Sequence, residues 1–552
     1  MTKAKARTLM LQGTASDVGK SVLTAALCRI FKQDGYRVAP FKSQNMSNNS
    51  YVTPDGKEIG RAQGMQADAC GIPATTDMNP ILLKPSREMS AQVVVHGKPY
   101  RDLDARTYRE SYLPQAEAIV KESLERLRAA YDIVVIEGAG SPAEINLKDR
   151  DIVNMRLAKW ADAPVLLVAD IDRGGVFASV VGTLELLEPE ERERVKGIVI
   201  NKFRGDLSLL QPGLDWLERR IGKPVVGVIP YLPGLALEDE DSASLDGKRN
   251  RAPKQEPLTD RERKREGSGG ISPDARFSGS AQGVIPPCRP LDIAIIRLPR
   301  ISNFTDADPL LAEPDTTVRY VSSVDDWGEP DAVILPGSKN TAEDLRHLRA
   351  SGLEAKLLAF AERGGRVVGI CGGYQMMGRR LADPKGVESA SAVTEGIGLL
   401  PLETVFAADK RTERVTGTAD LNVPGGPALK VEGYEIHMGR TRSLETVHAP
   451  FCLRSERSPD VPDAYHPDGA MSADGKLWGT YLHGVFHNDA LRRAWLNQLR
   501  ADKGLPPLDR QTGFGEIRER AFDLLADHVR RHLDMVRIYR MIGAEIGHGQ
   551  AE

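Results

Sequence analysis

Residues 8–21 read TLMLQGTASDVGKS, an apolar run that leads into a glycine-containing loop ending in Gly-Lys-Ser. The run Thr8–Gln12 predicts a strand, and the stretch Lys20–Gln33 predicts a helix. In a strand–loop–helix of this kind, successive backbone N–H groups can surround a polyphosphate, and the start of the helix adds partial positive charge. The segment therefore favours a phosphate-binding loop over an ordinary tight turn.

The residue types of the loop suit a nucleoside triphosphate. Lys20 is expected to reach the β- and γ-phosphates, and the Ser21 hydroxyl is expected to bind Mg²⁺. Glu137 follows the apolar run Ile133–Ile136, so it lies at the sheet edge where parallel sheets bind ligands. We predict ATP binding by Gly13, Thr14, Asp17, Val18, Gly19, Lys20, Ser21 and Asn201. We predict Mg²⁺ binding by Ser21, Glu137 and Asp17.

Apolar runs alternate with helix-like segments in both halves of the chain, which indicates α/β architecture with parallel sheets. The stretch TDRERKREGSGG, residues 259–270, contains no aliphatic or aromatic residue and cannot bury enough apolar area to order itself. We therefore predict an N-terminal P-loop parallel-sheet domain over residues 1–240. A flexible polar linker is expected over 241–289, and a second α/β domain over 290–552.

Composition excludes several classes of protein. The 552 residues include 74 Lys and Arg against 77 Asp and Glu, whereas a duplex-binding protein usually has a basic excess. No apolar run approaches the ~20 residues of a membrane span, and the N-terminus does not resemble a signal peptide, so we expect a cytoplasmic protein. The five cysteines are far apart and form no C-x-x-C pair, which argues against a disulfide framework or a structural zinc site.

A second motif, VVGICGGYQ at residues 367–375, runs from a strand into a helix-like segment through Gly-Ile-Cys-Gly-Gly. Small residues beside Cys371 permit the sharp turn that exposes a nucleophile, and the following helix start favours the thiolate. The N–H of Gly372 is expected to stabilise an oxyanion, and Gly337, after another strand, would supply a second donor. His483 follows a strand-like run and is the predicted base. A buried thiol and a structural histidine are the alternative.

The thiol segment resembles class I glutamine amidotransferases, which implies a flavodoxin-like fold for the second domain. In most of that class an acid lies two positions after the histidine, but Val485 occupies this position here. We therefore expect a Cys371–His483 dyad without an orienting acid. His437 recurs in the branch that amidates cobyrinic acids, as a glutamine-site or structural residue.

The N-terminal loop resembles that of dethiobiotin synthetase, and Thr14 stands where partition ATPases carry a signature lysine. Four further segments resemble the corrinoid-amidating CobB/CobQ family: PFKSQNMSNNS (40–50), NPILLKP (79–85), DIDRGGVF (170–177) and RLPRISNFTD (297–306). The resemblance covers nearly the whole chain except the linker.

This resemblance implies ATP- and glutamine-dependent amidation of the b, d, e and g carboxylates of adenosylcobyrinic acid a,c-diamide, or of its hydrogenobyrinic equivalent. Cationic and amide side chains suit a corrinoid polycarboxylate. The expected contacts are Lys42, Gln44, Asn45, Asn48, Lys84, Arg87 and Arg173. Amidation of the a and c carboxylates, or a nucleotide switch of the partition type, are the alternatives, and the sequence leaves homo-oligomerisation open.

Overall fold

The computed structural model describes residues 5–87, 90–104, 113–238, 291–389, 391–421, 428–457 and 465–545. The predicted linker, 241–289, lies outside the described residues, as does the side chain of Arg87.

The first domain is built on a six-stranded parallel sheet whose central strand ends at the phosphate-binding loop. The side chains of these strands are almost all buried, which explains why they are continuous apolar runs. In spatial order the strands are Val225–Pro230, Val195–Phe203, Val165–Asp170, Arg7–Gly13, Ile133–Glu137 and Val38–Phe41. The helices of this half are Lys20–Gln33, Arg61–Cys70, Leu113–Ala130, Met155–Ala161, Val176–Leu186, Pro189–Arg194 and Leu207–Ile221, with a 3₁₀ helix over Ile145–Arg150.

A small sheet and a hairpin come after the edge strand Val38–Phe41 in the chain. They contain the polar segment 44–58. The sheet contains Gln44–Met46, Ile81–Arg87, Ser90–Val95 and Lys98–Asp104, and the hairpin contains Ser50–Val52 and Glu58–Gly60. This region lies against the second domain, because the backbone N–H of Ser50 donates to Asn303 Oδ1 over 2.8 Å.

The second domain has a parallel sheet with strand order 2-1-3-4-5, which is the flavodoxin-like order. In spatial order the strands are Thr316–Val321, Leu291–Ile296, Ala332–Leu335, Arg366–Ile370 and Leu477–Thr480, followed by the antiparallel Ala470–Met471. Its helices are Asp308–Leu311, Thr341–Ala350, Leu353–Glu362, Gly372–Met376 and Asp489–Asp502, with 3₁₀ helices over Phe304–Ala307 and Val485–His487.

Further strands of the second domain form a separate sheet beside this core. They are Val393–Glu395, Arg380–Ala382, Leu402–Ala419, Phe451–Ser455 and His466–Asp468, with Leu429–Ser443 paired to Leu402–Ala419. The short strands Ile301–Ser302 and Gly337–Ser338 pair next to the thiol. The predicted fold class, a P-loop parallel-sheet domain plus a flavodoxin-like domain, is confirmed.

The two C-terminal helices, Phe514–His532 and Met535–Ile542, pack on the first domain. Their apolar side chains share a buried cluster with the helix Lys20–Gln33, and Arg29 Nε donates to Asp523 Oδ1 over 2.8 Å. The chain therefore returns to the first domain after completing the second. The predicted second domain, 290–552, includes these two helices, whereas in the structure they pack on the first domain. No helix in the described part of the chain is long and apolar enough to cross a membrane.

Candidate active sites

The phosphate-binding loop joins the central strand of the first sheet to the helix Lys20–Gln33. Asp17 and Gly19 adopt left-handed backbone conformations, with φ of 57° and 96°, which curve the loop back over the strand end. Lys20 Nζ donates to the backbone oxygens of Ala15 and Gly140 over 2.9 and 3.2 Å. The predicted lysine is therefore held across the mouth of the loop, where a triphosphate would take over these contacts.

Glu137 and Ser21 meet at the start of that helix, as predicted. Ser21 Oγ donates to Glu137 Oε1 over 2.7 Å, and Lys42 Nζ lies 2.9 Å from the same oxygen. Gln66 Nε2 donates to Glu137 Oε2 over 2.6 Å. Although burial opposes the charge on Glu137, the Lys42 ammonium and these hydrogen bonds hold the pKa of the carboxyl below its ordinary value. Glu137 is therefore an anion.

This pair of oxygens fits Mg²⁺, which takes one or two protein ligands and completes its shell with phosphate oxygens and water. The Ser21 hydroxyl and the Glu137 carboxylate are already adjacent. No group of three or more His, Cys, Asp or Glu side chains able to hold a metal occurs within the described ranges. A cation here would thus depend on a bound nucleotide for most of its ligands.

The remaining predicted nucleotide residues brace the loop. Asn201 Nδ2 donates to the backbone oxygen of Val18 over 2.8 Å, and the N–H of Thr14 donates to the oxygen of Val168 over 2.9 Å. The Asp17 carboxylate lies 3.7 Å from Arg173. Asp17 therefore faces a cationic side chain at the rim of the loop, and its role as a metal ligand stays a prediction.

Cys371 sits between the strand Arg366–Ile370 and the helix Gly372–Met376. Its φ and ψ are 51° and −107°, a conformation that non-glycine residues rarely adopt and that is typical of a nucleophile elbow. The backbone is fixed by Cys371 N–H donating to the oxygen of Thr480 over 2.8 Å. The Cys371 Sγ lies 3.6 Å from the oxygen of Ile436.

The two predicted oxyanion glycines belong to turns that pack against each other. A Cβ placed on Gly372 would lie 2.8 Å from the backbone nitrogen of Ser338, and one on Gly337 would lie 3.3 Å from His483 Cε1. Both turns therefore require glycine for close approach. The structure brings the Gly337 turn to the thiol elbow, as the sequence predicts.

The Cys371 thiol lies close enough to the His483 imidazole to contribute to the raised pKa of His483. His483 Nδ1 is 2.7 Å from Asp306 Oδ2, and the other Asp306 oxygen accepts the N–H of Gly484 over 2.8 Å. The expectation of a dyad without an orienting acid is therefore wrong. The acid comes from the 3₁₀ helix Phe304–Ala307, a different segment from the one that holds it in most of the class.

The electrostatics of His483 favour its charged form. Burial opposes protonation, but the Asp306 carboxylate and the Cys371 thiol raise the pKa of His483 to about 10. The Tyr434 ring stacks on the imidazole with a centroid separation of 5.0 Å. The arrangement stabilises an imidazolium, which is the state that a base reaches after taking the thiol proton.

A cavity of about 810 Å³ opens beside the elbow. Tyr374, one turn after the thiol, and Tyr481 line it together with His437 and Arg411. His437 stacks on Tyr481 at 3.7 Å, and its Nδ1 lies 2.8 Å from the oxygen of Gly439. Burial lowers the pKa of His437 to about 4, so His437 is neutral.

The predicted corrinoid contacts occupy different environments. Lys84 is buried at the domain interface, where its ammonium pairs with Glu58, and Lys42 pairs with Glu137. Asn45 donates to Gln63 Oε1 over 3.0 Å. The others lie nearer the surface or at the small sheet: Gln44, Asn48 and Arg173. The structure thus groups Lys42 with the nucleotide site and Lys84 with the domain interface.

Sequence reasoning missed Asp306 and Tyr434 as parts of the thiol site. Asp306 lies in the segment RLPRISNFTD, which the family resemblance singles out without a role. The segment also contains two arginines and several uncharged polar residues, so its composition does not mark Asp306 as buried. The burial of Asp306, which requires a partner for the carboxylate, is seen only in the structure. Tyr434 carries no signal in the sequence either.

Two family models match separate parts of the chain. Residues 9–245 match the CobQ/CobB/MinD/ParA nucleotide binding domain, and residues 292–491 match the CobB/CobQ-like glutamine amidotransferase domain. Fold and site together define a two-domain, nucleotide-binding glutamine amidotransferase.

Relatives that match over nearly the whole chain identify the family within this class. The cobyric acid synthase of Geobacillus kaustophilus is 50% identical over 540 residues, covering 98% of each chain. That of Desulforamulus reducens is 51% identical over 551 residues, covering 99% of this chain and 100% of the relative. That of Moorella thermoacetica is 49% identical over 98% of each chain. The chain belongs to the cobyric acid synthase family.

Proposed function

We propose that the protein uses ATP and glutamine to amidate the b, d, e and g carboxylates of adenosylcobyrinic acid a,c-diamide, or its hydrogenobyrinic equivalent, yielding cobyric acid. The observation that carries the proposal is the His483 imidazole held between the Cys371 thiol and the Asp306 carboxylate, in a chain whose other domain presents a phosphate-binding loop. Such a pairing suits a ligase that makes its own ammonia.

At the thiol site, His483 takes the Cys371 proton and the sulfur attacks the side-chain amide carbon of glutamine. The oxygen of that amide gains negative charge, which we propose is stabilised by the N–H groups of Gly372 and Gly337. The imidazolium returns its proton to the leaving nitrogen, so ammonia departs and a thioester remains. Water then hydrolyses the thioester to glutamate and frees the thiol.

At the nucleotide site, a corrinoid carboxylate oxygen attacks the γ-phosphorus of ATP, and ADP leaves. Lys20, which contacts the loop backbone at Ala15, is proposed to balance the charge of the transferred group. Ammonia then attacks the acyl phosphate carbon, inorganic phosphate leaves and an amide remains. Each amide therefore consumes one ATP and one glutamine.

Mg²⁺, when bound, would neutralise charge on the triphosphate oxygens. Ser21 and Glu137 are the residues that fit it, and Lys42 is placed to keep the Glu137 carboxylate ionised in its absence. Asp17 at the rim is the third proposed ligand.

For the corrinoid, we propose direct contacts through Gln44, Asn48 and Arg173, which are not fully buried. Arg173 lies at the rim of the phosphate-binding loop, near the Asp17 carboxylate. A carboxylate bound there would lie near the γ-phosphate. Glutamine is proposed to enter through the cavity lined by Tyr374, His437 and Tyr481.

The test is mass spectrometry of the corrinoid after incubation with ATP, Mg²⁺ and glutamine. Four carboxyl-to-amide conversions of the a,c-diamide are expected, and none of the a and c groups of cobyrinic acid. Two conversions of cobyrinic acid and no further reaction would contradict the assigned carboxylates.

Cys371→Ala separates the two half-reactions. The variant is expected to lose glutamine-dependent product while keeping ammonia-dependent product, because the thiol acts only on glutamine. Cys452→Ala, at an exposed strand position, is the matched control and should keep both activities. Loss of ammonia-dependent turnover in folded Cys371→Ala would contradict the division of labour.

A further inference from the structure

A residue of the first domain supports the base of the thiol site from outside the second domain. Arg61 begins the helix Arg61–Cys70, and its side chain is buried where the two domains meet. Arg61 Nη2 donates to the hydroxyl oxygen of Tyr434, in the strand Leu429–Ser443, over 2.7 Å. The contact therefore joins a cation of the first domain to an aromatic ring of the second.

Tyr434 in turn covers the predicted base. Its ring stacks on the His483 imidazole with a centroid separation of 5.0 Å and an angle of 16° between the planes. The two backbones are also paired, since the His483 N–H donates to the Tyr434 oxygen over 2.8 Å and the Tyr434 N–H donates to the His483 oxygen over 3.2 Å. Because the face of an aromatic ring is negative, this stack favours the protonated imidazole, as Asp306 does.

The backbone contacts alone do not fix the Tyr434 ring. A side chain can turn about χ1 while its backbone stays in place, and such a turn would move the ring away from the imidazole. The hydrogen bond from Arg61 holds the hydroxyl, at the far end of the side chain, and so opposes this rotation. The guanidinium also lies over the same ring, with Arg61 Cζ 5.6 Å from the ring centroid.

Arg61 also packs against a second ring. Its Cζ lies 5.6 Å from the centroid of Tyr51, and Arg414 Cζ, from the second domain, lies 5.5 Å from that centroid. Cationic and aromatic groups thus alternate across the domain boundary in the order Arg414, Tyr51, Arg61, Tyr434 and His483. Both domains contribute to this row, which ends on the imidazole.

Packing alone does not account for an arginine at this position. Arg61 is 8% exposed, and among the described residues its Nε has no hydrogen-bond partner. Burying a cation with an unpartnered N–H costs free energy that an apolar side chain of similar size would not cost. What the arginine adds is a charged donor at the Tyr434 hydroxyl.

We propose that Arg61 is a positioning residue for glutamine hydrolysis, which keeps the Tyr434 ring on the face of His483 while the imidazole carries the Cys371 proton. The inference rests on the proposed function and adds a first-domain residue to the thiol site. Tyr434 is not among the described residues that line the proposed glutamine cavity. Its displacement should therefore affect proton transfer more than glutamine binding.

The test measures glutamate release in the presence of ATP, Mg²⁺ and corrinoid a,c-diamide, by the full-length wild type and by Arg61→Met. Methionine removes the donor but keeps much of the side-chain volume. The kcat for glutamate release is expected to fall about three- to tenfold, the range expected from one hydrogen bond, while the KM for glutamine stays within about twofold. Ammonia-dependent amidation should be unchanged, because it does not use His483.

Tyr434→Phe breaks the same hydrogen bond from the other side and keeps the ring, so its effect should be similar. The double variant Arg61→Met/Tyr434→Phe should fall no further than either single variant, because both remove one contact. NMR of the protein with ¹³C-labelled histidine rings should show that the ring-current shift of His483 changes in Arg61→Met.

Arg29→Met is the matched control. Arg29 is as buried as Arg61, belongs to the first domain, and donates to Asp523 of the C-terminal tail, away from the thiol. This variant should keep both the kcat for glutamate release and the His483 ring-current shift of the wild type.

The outcomes are distinct. A wild type that releases no glutamate contradicts the proposed function itself. An active wild type, with Arg61→Met equal to Arg29→Met in kcat or in the His483 shift, overturns only the role given to Arg61. Additive losses in the double variant, or equal losses with glutamine and with ammonia, overturn it as well. If Arg61→Met does not fold, an unchanged kcat in Tyr434→Phe overturns the proposal.

Discussion

The nucleotide site and the thiol site each bury one carboxylate, but the two carboxylates have different partners. Glu137 pairs with the Lys42 ammonium, and Asp306 accepts from the His483 imidazole. A lysine keeps its charge throughout the physiological range, whereas an imidazole gains and loses a proton during a reaction. In the first arrangement the Glu137 carboxylate stays charged and available to a ligand. In the second, the Asp306 carboxylate stabilises a proton on His483 and so favours proton transfer to it.

The comparison shows that the two sites stabilise their buried carboxylates by different means. The anion of the nucleotide site is balanced before any ligand arrives, so Glu137 stays ionised although it is buried. The anion of the thiol site is balanced only when His483 is protonated. Substitutions that exchange charge for an amide should therefore affect the two sites in different ways.

Asp306→Asn should give the largest effect. The Gly484 N–H donates to one oxygen of this side chain, so the amide would keep its oxygen there and turn its NH₂ group toward Nδ1. A donor at that position favours the wrong tautomer, so glutamine-dependent turnover is expected to fall about 10²- to 10⁴-fold. Ammonia-dependent amidation in the same variant should change little, which steady-state assays with either nitrogen source will check. Asp474→Asn, at an exposed turn, is the matched control, and equal losses with both nitrogen sources would break the comparison.

Glu137→Gln should show the reverse selectivity. Removing the anion beside Ser21 and leaving Lys42 without its partner is expected to slow amidation about 10²-fold with either nitrogen source. Glutamate release with glutamine alone should stay within a few-fold of wild type. Both rates can be measured on one preparation, with the exposed Glu125→Gln as control; full amidation activity would contradict the assignment of Glu137.

Lys410→Met tests the buried charges that join the domains. The Lys410 ammonium pairs with Glu58 of the first domain, and both side chains are almost fully buried. Leaving Glu58 with one fewer cation should lower the free energy of unfolding by about 3 kcal/mol, measured by denaturant titration. Lys121→Met removes an exposed ion pair with Glu117 and should cost about 0.5 kcal/mol or less. Equal effects would show that the interface charge is not needed.

The last comparison concerns the pH dependence of stability. The folded pKa of His483, about 10, exceeds its ordinary value of about 6.5, so the folded state binds the extra proton between these values. The stabilisation is complete below about pH 6.5 and is lost as pH rises to about 10. Thermal melts across this range should therefore fall more steeply for wild type than for Asp306→Asn. Parallel curves would argue that Asp306 does not hold the proton.

The parts that sequence could predict are those whose causes are local. The phosphate-binding loop, the helix Lys20–Gln33 and the thiol elbow each follow from consecutive residues, and the structure contains all three. Asp306 could not be assigned, because it lies 177 residues before His483 and only the folded sheet brings the two together.

The C-terminal tail shows that the sequence also does not determine which domain a helix packs against. The tail forms the helices Phe514–His532 and Met535–Ile542. Their apolar faces indicate burial but do not specify which domain covers them. Only the structure shows that the cover is the first domain rather than the second.

The packing of the C-terminal helices on the first domain ties the end of the chain to its beginning. A protease that cut the backbone anywhere between residues 239 and 290 would give two fragments that remain attached, since the tail of the later fragment is anchored in the earlier one. Expressing residues 1–240 alone would instead uncover the apolar surface that Phe522 and Leu525 occupy, and such a fragment should aggregate unless the tail is supplied as a separate peptide.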